Sequence, residues 1–262
     1  MLPHRLSPIE QNLKSSQART KTPVDNQTRQ KLKQDHFVQA TTHGLHWAGE
    51  NRRSVITTSI LLLAVIVLSV GGVAFYNYRS DAASAQFGAA MQVYGAPIAT
   101  PGEPVAPGTQ TYASSADRAK AANALFVAVA DKYSMTTAGR NARYFAGLTY
   151  IDAGQTASAE STLLKISGGM DKNLAALAKV ALASLYHQTG RDQQAIDMYN
   201  QLIAKPSETE TAGMAKLQLG TLYESMNRPD DAKKIYAELK DKDAKGAAGE
   251  LATQRLSGGA AQ

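Results

Sequence analysis

No charged residue occurs between positions 54 and 78 of this chain. Helices of soluble proteins keep one face in water and rarely run so far without a charge. The centre of the run is Ile60-Leu61-Leu62-Leu63-Ala64-Val65-Ile66-Val67-Leu68, and it stays apolar to Phe75. About 20 apolar residues suffice for a helix to cross the ~30 Å hydrocarbon core of a bilayer, so residues 54–78 read as a single transmembrane helix. Arg52 and Arg53 stand just before it, with Trp47 ahead of them, and Phe75, Tyr76 and Tyr78 close it. Aromatic residues favour the headgroup level, and basic residues stay on the cytoplasmic side. Arg79 is the only basic residue between the run and Asp81, so the charge asymmetry places the N-terminus in the cytoplasm and the bulk of the chain across the membrane. A cleaved signal peptide fits poorly, because residues 1–53 precede the run and the run exceeds a usual signal core. Ala83-Ser84-Ala85 imitates a cleavage site, as triplets of small residues do in an alanine-rich chain.

The formal charge of +6 invites a nucleic-acid reading until it is located. Up to Arg53 there are nine Lys/Arg against four Asp/Glu, a net of +5; the remainder holds nineteen against eighteen. The basic excess therefore belongs to the N-terminal tail, which lacks an interleaved aromatic platform, and no nucleic-acid partner is expected. Cysteine is absent, which removes disulfides and thiolate metal sites without fixing the redox compartment.

Residues 1–28 are polar and proline-containing, and read as a disordered cytoplasmic tail. Residues 29–53 read as a juxtamembrane amphipathic segment: Leu32, His36, Ala40 and Gly44 fall at helical spacing beside Phe37 and Trp47, with Lys31 and Lys33 suited to anionic headgroups. His36, His43 and His46 lack a cysteine or carboxylate to complete a metal set, and solvated histidines are the ordinary reading.

Beyond the span, three segments align without gaps. The first holds Gly147, Tyr150, Gly154, Ala159, Leu163 and Ile166; the second Ala183, Tyr186, Gly190, Ala195, Tyr199 and Leu202; the third Gly220, Tyr223, Asn227, Ala232, Tyr236 and Leu239. The tyrosines thus recur 36 and then 37 residues apart. Small residues are needed where paired helices cross, and Gly or Asn where a first helix ends in the left-handed conformation. Asp192 and Asp230 suit the starts of second helices, as does Pro229. Such units bury their apolar faces only by stacking. A fourth, split unit would join a helix over 80–94 to one over 114–133, across a Pro/Gly-rich loop at 95–113 that holds Pro97, Pro101, Pro104 and Pro107. Residues 244–256 suit a capping helix. The expected fold is all-α: an N-terminal transmembrane helix, then over 79–256 an α-solenoid of three to four hairpins with a C-terminal cap, and a flexible end at 257–262.

These segments resemble the tetratricopeptide repeat. Two features depart from its pattern: the usual first-helix tryptophan position holds Arg143, Lys179 and Lys216, and only Pro206 comes near the usual terminal proline. By repeat register the concave, polypeptide-binding surface carries Tyr144, Leu148, Ile151 and Asp152, then Val180, Ser184, His187 and Gln188, then Leu217, Thr221, Glu224 and Ser225. The alternative for Tyr144, Val180 and Leu217 is core between neighbouring hairpins. The surface lacks clustered lysines and arginines, so extended or helical polypeptide with apolar anchors is its expected ligand.

The stretch Lys33-Gln34-Asp35-His36-Phe37-Val38-Gln39-Ala40-Thr41, then Trp47 and Glu50-Asn51-Arg52-Arg53 before one span and a repeat domain, resembles the bacterial YfgM-like family over about residues 31–256. That resemblance implies an inner-membrane protein with a periplasmic repeat domain, an ancillary subunit of the SecYEG translocon associated with a membrane-anchored prolyl-isomerase-type chaperone. The longer tail and the proline-rich insert depart from compact members. A structural scaffold for cell-wall or division machinery is the alternative. No phosphate loop, HExxH or nucleophile elbow occurs, His187 has no evident acid–base partner in the sequence, and neither catalysis nor a cofactor is expected.

Overall fold

The computed structural model describes residues 49, 51–99 and 108–258. The tail at 1–28, nearly all of the amphipathic segment with His36, His43 and His46, the centre of the proline-rich loop, and the last four residues lie outside the described residues. Among the described residues there are nine helices and no strand. The chain divides into two compact units, Met1–Gly71 and Gly72–Gln262.

Helix α1, Arg52–Tyr94, is one continuous element of 43 residues. In the first unit its large apolar side chains are mostly exposed among the described residues: Ile60, Leu63 and Leu68 are 61%, 61% and 75% exposed. It is long and apolar enough to cross a membrane.

In the second unit the end of α1 meets α2 (Ser115–Lys132) through alanine and aromatic side chains. Three pairs follow: α3 (Thr137–Asp152) with α4 (Thr156–Ser167), α5 (Lys172–Gln188) with α6 (Asp192–Ala204), and α7 (Ala212–Ser225) with α8 (Pro229–Lys242); α9 (Ala247–Gly258) follows them. From α2 onward each helix packs on the next, α3 also touches α5, and α9 covers both α7 and α8. Among its described residues, the loop after α1 carries an isolated bridge between Ile98 and Tyr112.

The turn within each pair is set by one residue. Gly154, Gly190 and Asn227 have φ of 72°, 72° and 59°. That reversal lets the next N–H reach back to the periodic tyrosine: Gln155, Arg191 and Arg228 donate to the carbonyls of Tyr150, Tyr186 and Tyr223 at 2.8, 2.7 and 2.8 Å. The Arg191 and Arg228 guanidiniums then lie 4.5 Å from the Tyr186 and Tyr223 ring centres. The first helices α3, α5 and α7 start differently, on side-chain caps, as α2 also does: Thr136, Asp171, Thr211 and, for α2, Ser114 each accept the N–H three residues on.

Gly147 and Gly220 sit where paired helices cross. A Cβ on Gly147 would lie 2.6 Å from the Leu163 side chain, and one on Gly220 would lie 2.4 Å from the Tyr236 ring. Tyr236 is only 1% exposed and cannot swing away. Gly220→Ala is therefore expected to destabilise the third pair by about 1–2 kcal/mol, because overpacking outweighs the helix-propensity gain. Chemical denaturation followed by circular dichroism measures this, and a stabilised variant would show that the crossing is looser than described.

Candidate polypeptide-binding face

The first helices α3, α5 and α7 carry the residues assigned to the groove, and the fold sorts them. Tyr144, Leu148, Ile151 and Val180 pack half-buried against the central core. Leu217, at the same register as Tyr144 and Val180, is 9% exposed and goes into the core. Its cluster includes Tyr236, Ala248 and Ala252, so the capping helix α9 closes over it. Asp152 accepts the Tyr94 hydroxyl at 3.1 Å. Glu224 pairs with Arg255 of α9 at 3.2 Å.

Ser184, His187, Thr221 and Ser225 come together around a cleft of about 240 Å³, with Tyr199 and Gln218 beside them. Gln188 flanks it, donating to Ser184 at 3.0 Å. The α3 residues are not among its walls. Its surface offers hydroxyl, amide and imidazole groups over Tyr199 and Leu222, a set that can serve both the backbone and small side chains of a peptide.

Against the expectation from sequence, His187 has partners on both ring nitrogens. Its Nδ1 lies 2.7 Å from Asp192 Oδ1 and its Nε2 lies 3.0 Å from Ser225 Oγ. Asp192 opens α6 five residues on, while Ser225 ends the first helix of the next repeat. The sequence separations of 5 and 38 carry no repeat signal, which hid the chain of contacts. The order Asp–His–Ser matches a nucleophilic triad, yet the surroundings oppose one. Acyl transfer needs N–H donors directed at a developing oxyanion. Ser225 stands at a helix C-terminus, where carbonyls and the negative end of the dipole gather. The next N–H groups, of Met226 and Asn227, are spent on the Leu222 and Glu224 carbonyls. The Ser225 hydroxyl also reaches the Leu222 carbonyl at 2.7 Å. The arrangement ties the second repeat to the third and does not make a nucleophile.

Glu210, in the loop before α7, was not singled out from sequence. It is 5% exposed, and among the described residues its carboxylate receives the Gln218 amide, at 3.3 and 3.4 Å. Burial raises its carboxyl above the usual range, partly opposed by Gln218. Burial, with the Glu210 charge nearby, pushes the Tyr199 phenol up to about 12. Because the folded carboxyl holds its proton more tightly than the unfolded one, its contribution is favourable at low pH. That contribution is lost as pH rises through the folded value. Glu210→Gln is therefore expected to be more stable than the native chain at pH 7. The two should converge below about pH 4, where the carboxyl is protonated in both states. Thermal melts at the two pH values measure it; an unchanged difference would remove ionisation as the cause.

Among the described residues no group of three His, Cys, Asp or Glu could hold a metal ion. Comparison with curated proteins gives no match, and neither does comparison with solved structures. The family model described as a tetratricopeptide repeat-like domain matches residues 46–257, about four fifths of the chain. Domains of this kind are typically modules of protein–protein interaction rather than catalysts. With its stacked helical pairs and reversing turns, this chain belongs to the tetratricopeptide repeat-like domain family.

Proposed function

We propose that the chain is a membrane-anchored adaptor that binds polypeptides through the face of α3, α5 and α7. The observation that carries this is the polar cleft around Ser184, His187, Thr221 and Ser225, with Leu222 and Tyr199 as its apolar walls. Hydrogen-bonding groups beside apolar anchors suit an extended or helical segment of a partner. The exposed apolar part of α1 supports an anchoring role, and Arg52 and Arg53 at its start favour a cytoplasmic N-terminus. The finer reading follows the YfgM-like resemblance: an inner-membrane protein with its repeat domain in the periplasm, acting near the Sec translocon during envelope protein biogenesis.

Gentle solubilisation and co-purification, with photocrosslinkers at Leu148, His187 and Glu224, tests both levels. Crosslinks to secretory chains, translocon subunits or a periplasmic chaperone are the expected result. Recovery of cell-wall or division proteins alone would sink the biogenesis reading, and an absence of protein crosslinks at all three positions would sink the groove itself.

A further inference from the structure

The cations at the usual tryptophan position, Arg143, Lys179 and Lys216, recur at the repeat spacing of 36 and 37 residues. In the fold each one edges a surface cleft beside the apolar end of a second helix, formed by Ile166, Leu202 and Leu239 in turn. Those three residues recur at the same spacing, so the clefts are one feature repeated three times along one edge of the repeats. Their volumes are about 250, 440 and 610 Å³. None shares a wall residue with the cleft around His187.

The cations differ in how they are satisfied. Arg143 is paired with Asp131 at 3.2 Å. Lys216 and Lys242 both reach Glu238, at 2.6 and 3.1 Å, and hold its carboxyl below the usual range. The middle cleft has less such relief, although Lys172 also edges an adjoining cleft with Asp171 and Glu208. Lys172, Lys179 and Lys205 all line it, no carboxylate does, and none of the three has an ion pair among the described residues. Lys165, on the wall of the first cleft, is likewise unpaired there. Three ammonium groups around one recess repel one another, and a carboxylate entering it relieves that repulsion. Leu202 and Ala176 supply the apolar wall.

We propose that this row of clefts, centred on Lys172, Lys179 and Lys205, is a second docking surface that takes an acidic, extended polypeptide segment. Its carboxylates meet the unpaired lysines while small aliphatic side chains enter the recesses. A segment of this chemistry fits better than a lipid surface, since recesses admit single side chains whereas bilayers are met by protruding basic residues. Aromatic stacking partners for single-stranded nucleic acid are missing from the walls of all three clefts.

The test uses the full chain in detergent and a fluorescent peptide of alternating Glu and Ala/Val, against the same peptide with Gln for Glu. Anisotropy is expected to show the Glu peptide bound about tenfold tighter at low salt, with the preference shrinking as salt screens it. In K172Q/K179Q/K205Q the preference should fall to about one, while Ser184→Trp in the His187 cleft leaves it unchanged. If the triple variant loses helicity, K179Q alone is expected to reduce the preference about threefold. Equal binding of the two peptides, a preference that survives the lysine changes, or lysine-dependent binding of phosphatidylglycerol vesicles without a Glu-peptide preference would each overturn the proposal.

Discussion

Phe126→Ala is expected to cost about 3–5 kcal/mol, the largest single-residue loss of stability in the repeat unit. Phe126 is fully buried, and its ring lies 5.7, 6.1 and 5.3 Å from those of Phe87, Tyr94 and Phe145. Phe87 and Tyr94 come from α1, Phe126 from α2 and Phe145 from α3. One side chain therefore holds α1 and α2 to the pair that follows. Its removal leaves a cavity among aromatic rings that cannot collapse without moving three helices, and stabilities of whole domains are only about 5–15 kcal/mol. In stacked repeats such a loss stays local. Hydrogen exchange on the full chain should show protection falling from α1 to α3, while α7 to α9 keep theirs. Phe126→Leu, closer in volume, should cost much less. A uniform loss across all helices would instead mean that the unit unfolds as one body.

What the sequence made legible was whatever the repeat copies. Gly147 and Gly220 were readable because each small residue returns at the spacing that the tyrosines set, and their missing Cβ atoms do leave room for Leu163 and Tyr236. Gly154, Gly190 and Asn227 were readable because only a residue that tolerates φ > 0 ends these first helices. Gly139 was not: a Cβ there would lie 1.9 Å from the Tyr133 carbonyl oxygen, but the next two repeats put alanine at that register. Features that join different repeat positions were equally hidden, above all the Asp192–His187–Ser225 chain and the buried Glu210 of a connecting loop.

The groove shows the other limit. Register placed Tyr144, Val180 and Leu217 in equivalent positions, and two of them are half-buried while Leu217 is core. The difference comes from α9, an element outside the repeat frame, which packs on α7 and α8 and shares a core cluster with Leu217. The recurring cations were visible too, as a departure from the tryptophan pattern. Only the fold shows that each of the three cations edges a surface cleft.

Two lysines in the apolar half of α1 should remove the protein from the membrane. Leu62 and Val65 are 61% and 53% exposed on that helix, with no protein surface to shield a charge. On the insertion scale a central lysine costs about 2.5–3.5 kcal/mol, where leucine or valine contributes about −0.3 to −0.6. The double change Leu62→Lys/Val65→Lys thus costs roughly 6–8 kcal/mol of insertion free energy, too much for snorkelling from mid-span to recover. After an alkaline carbonate wash, the native chain and a Leu62→Ala/Val65→Ala control should stay in the membrane pellet, and the lysine variant should not. The repeat unit folds around its own cores, so the released protein should keep its helical signal, which separates failed insertion from misfolding. A lysine variant that still resists the wash would mean that α1 is not the anchor, and native chain released by the wash would remove the transmembrane reading altogether.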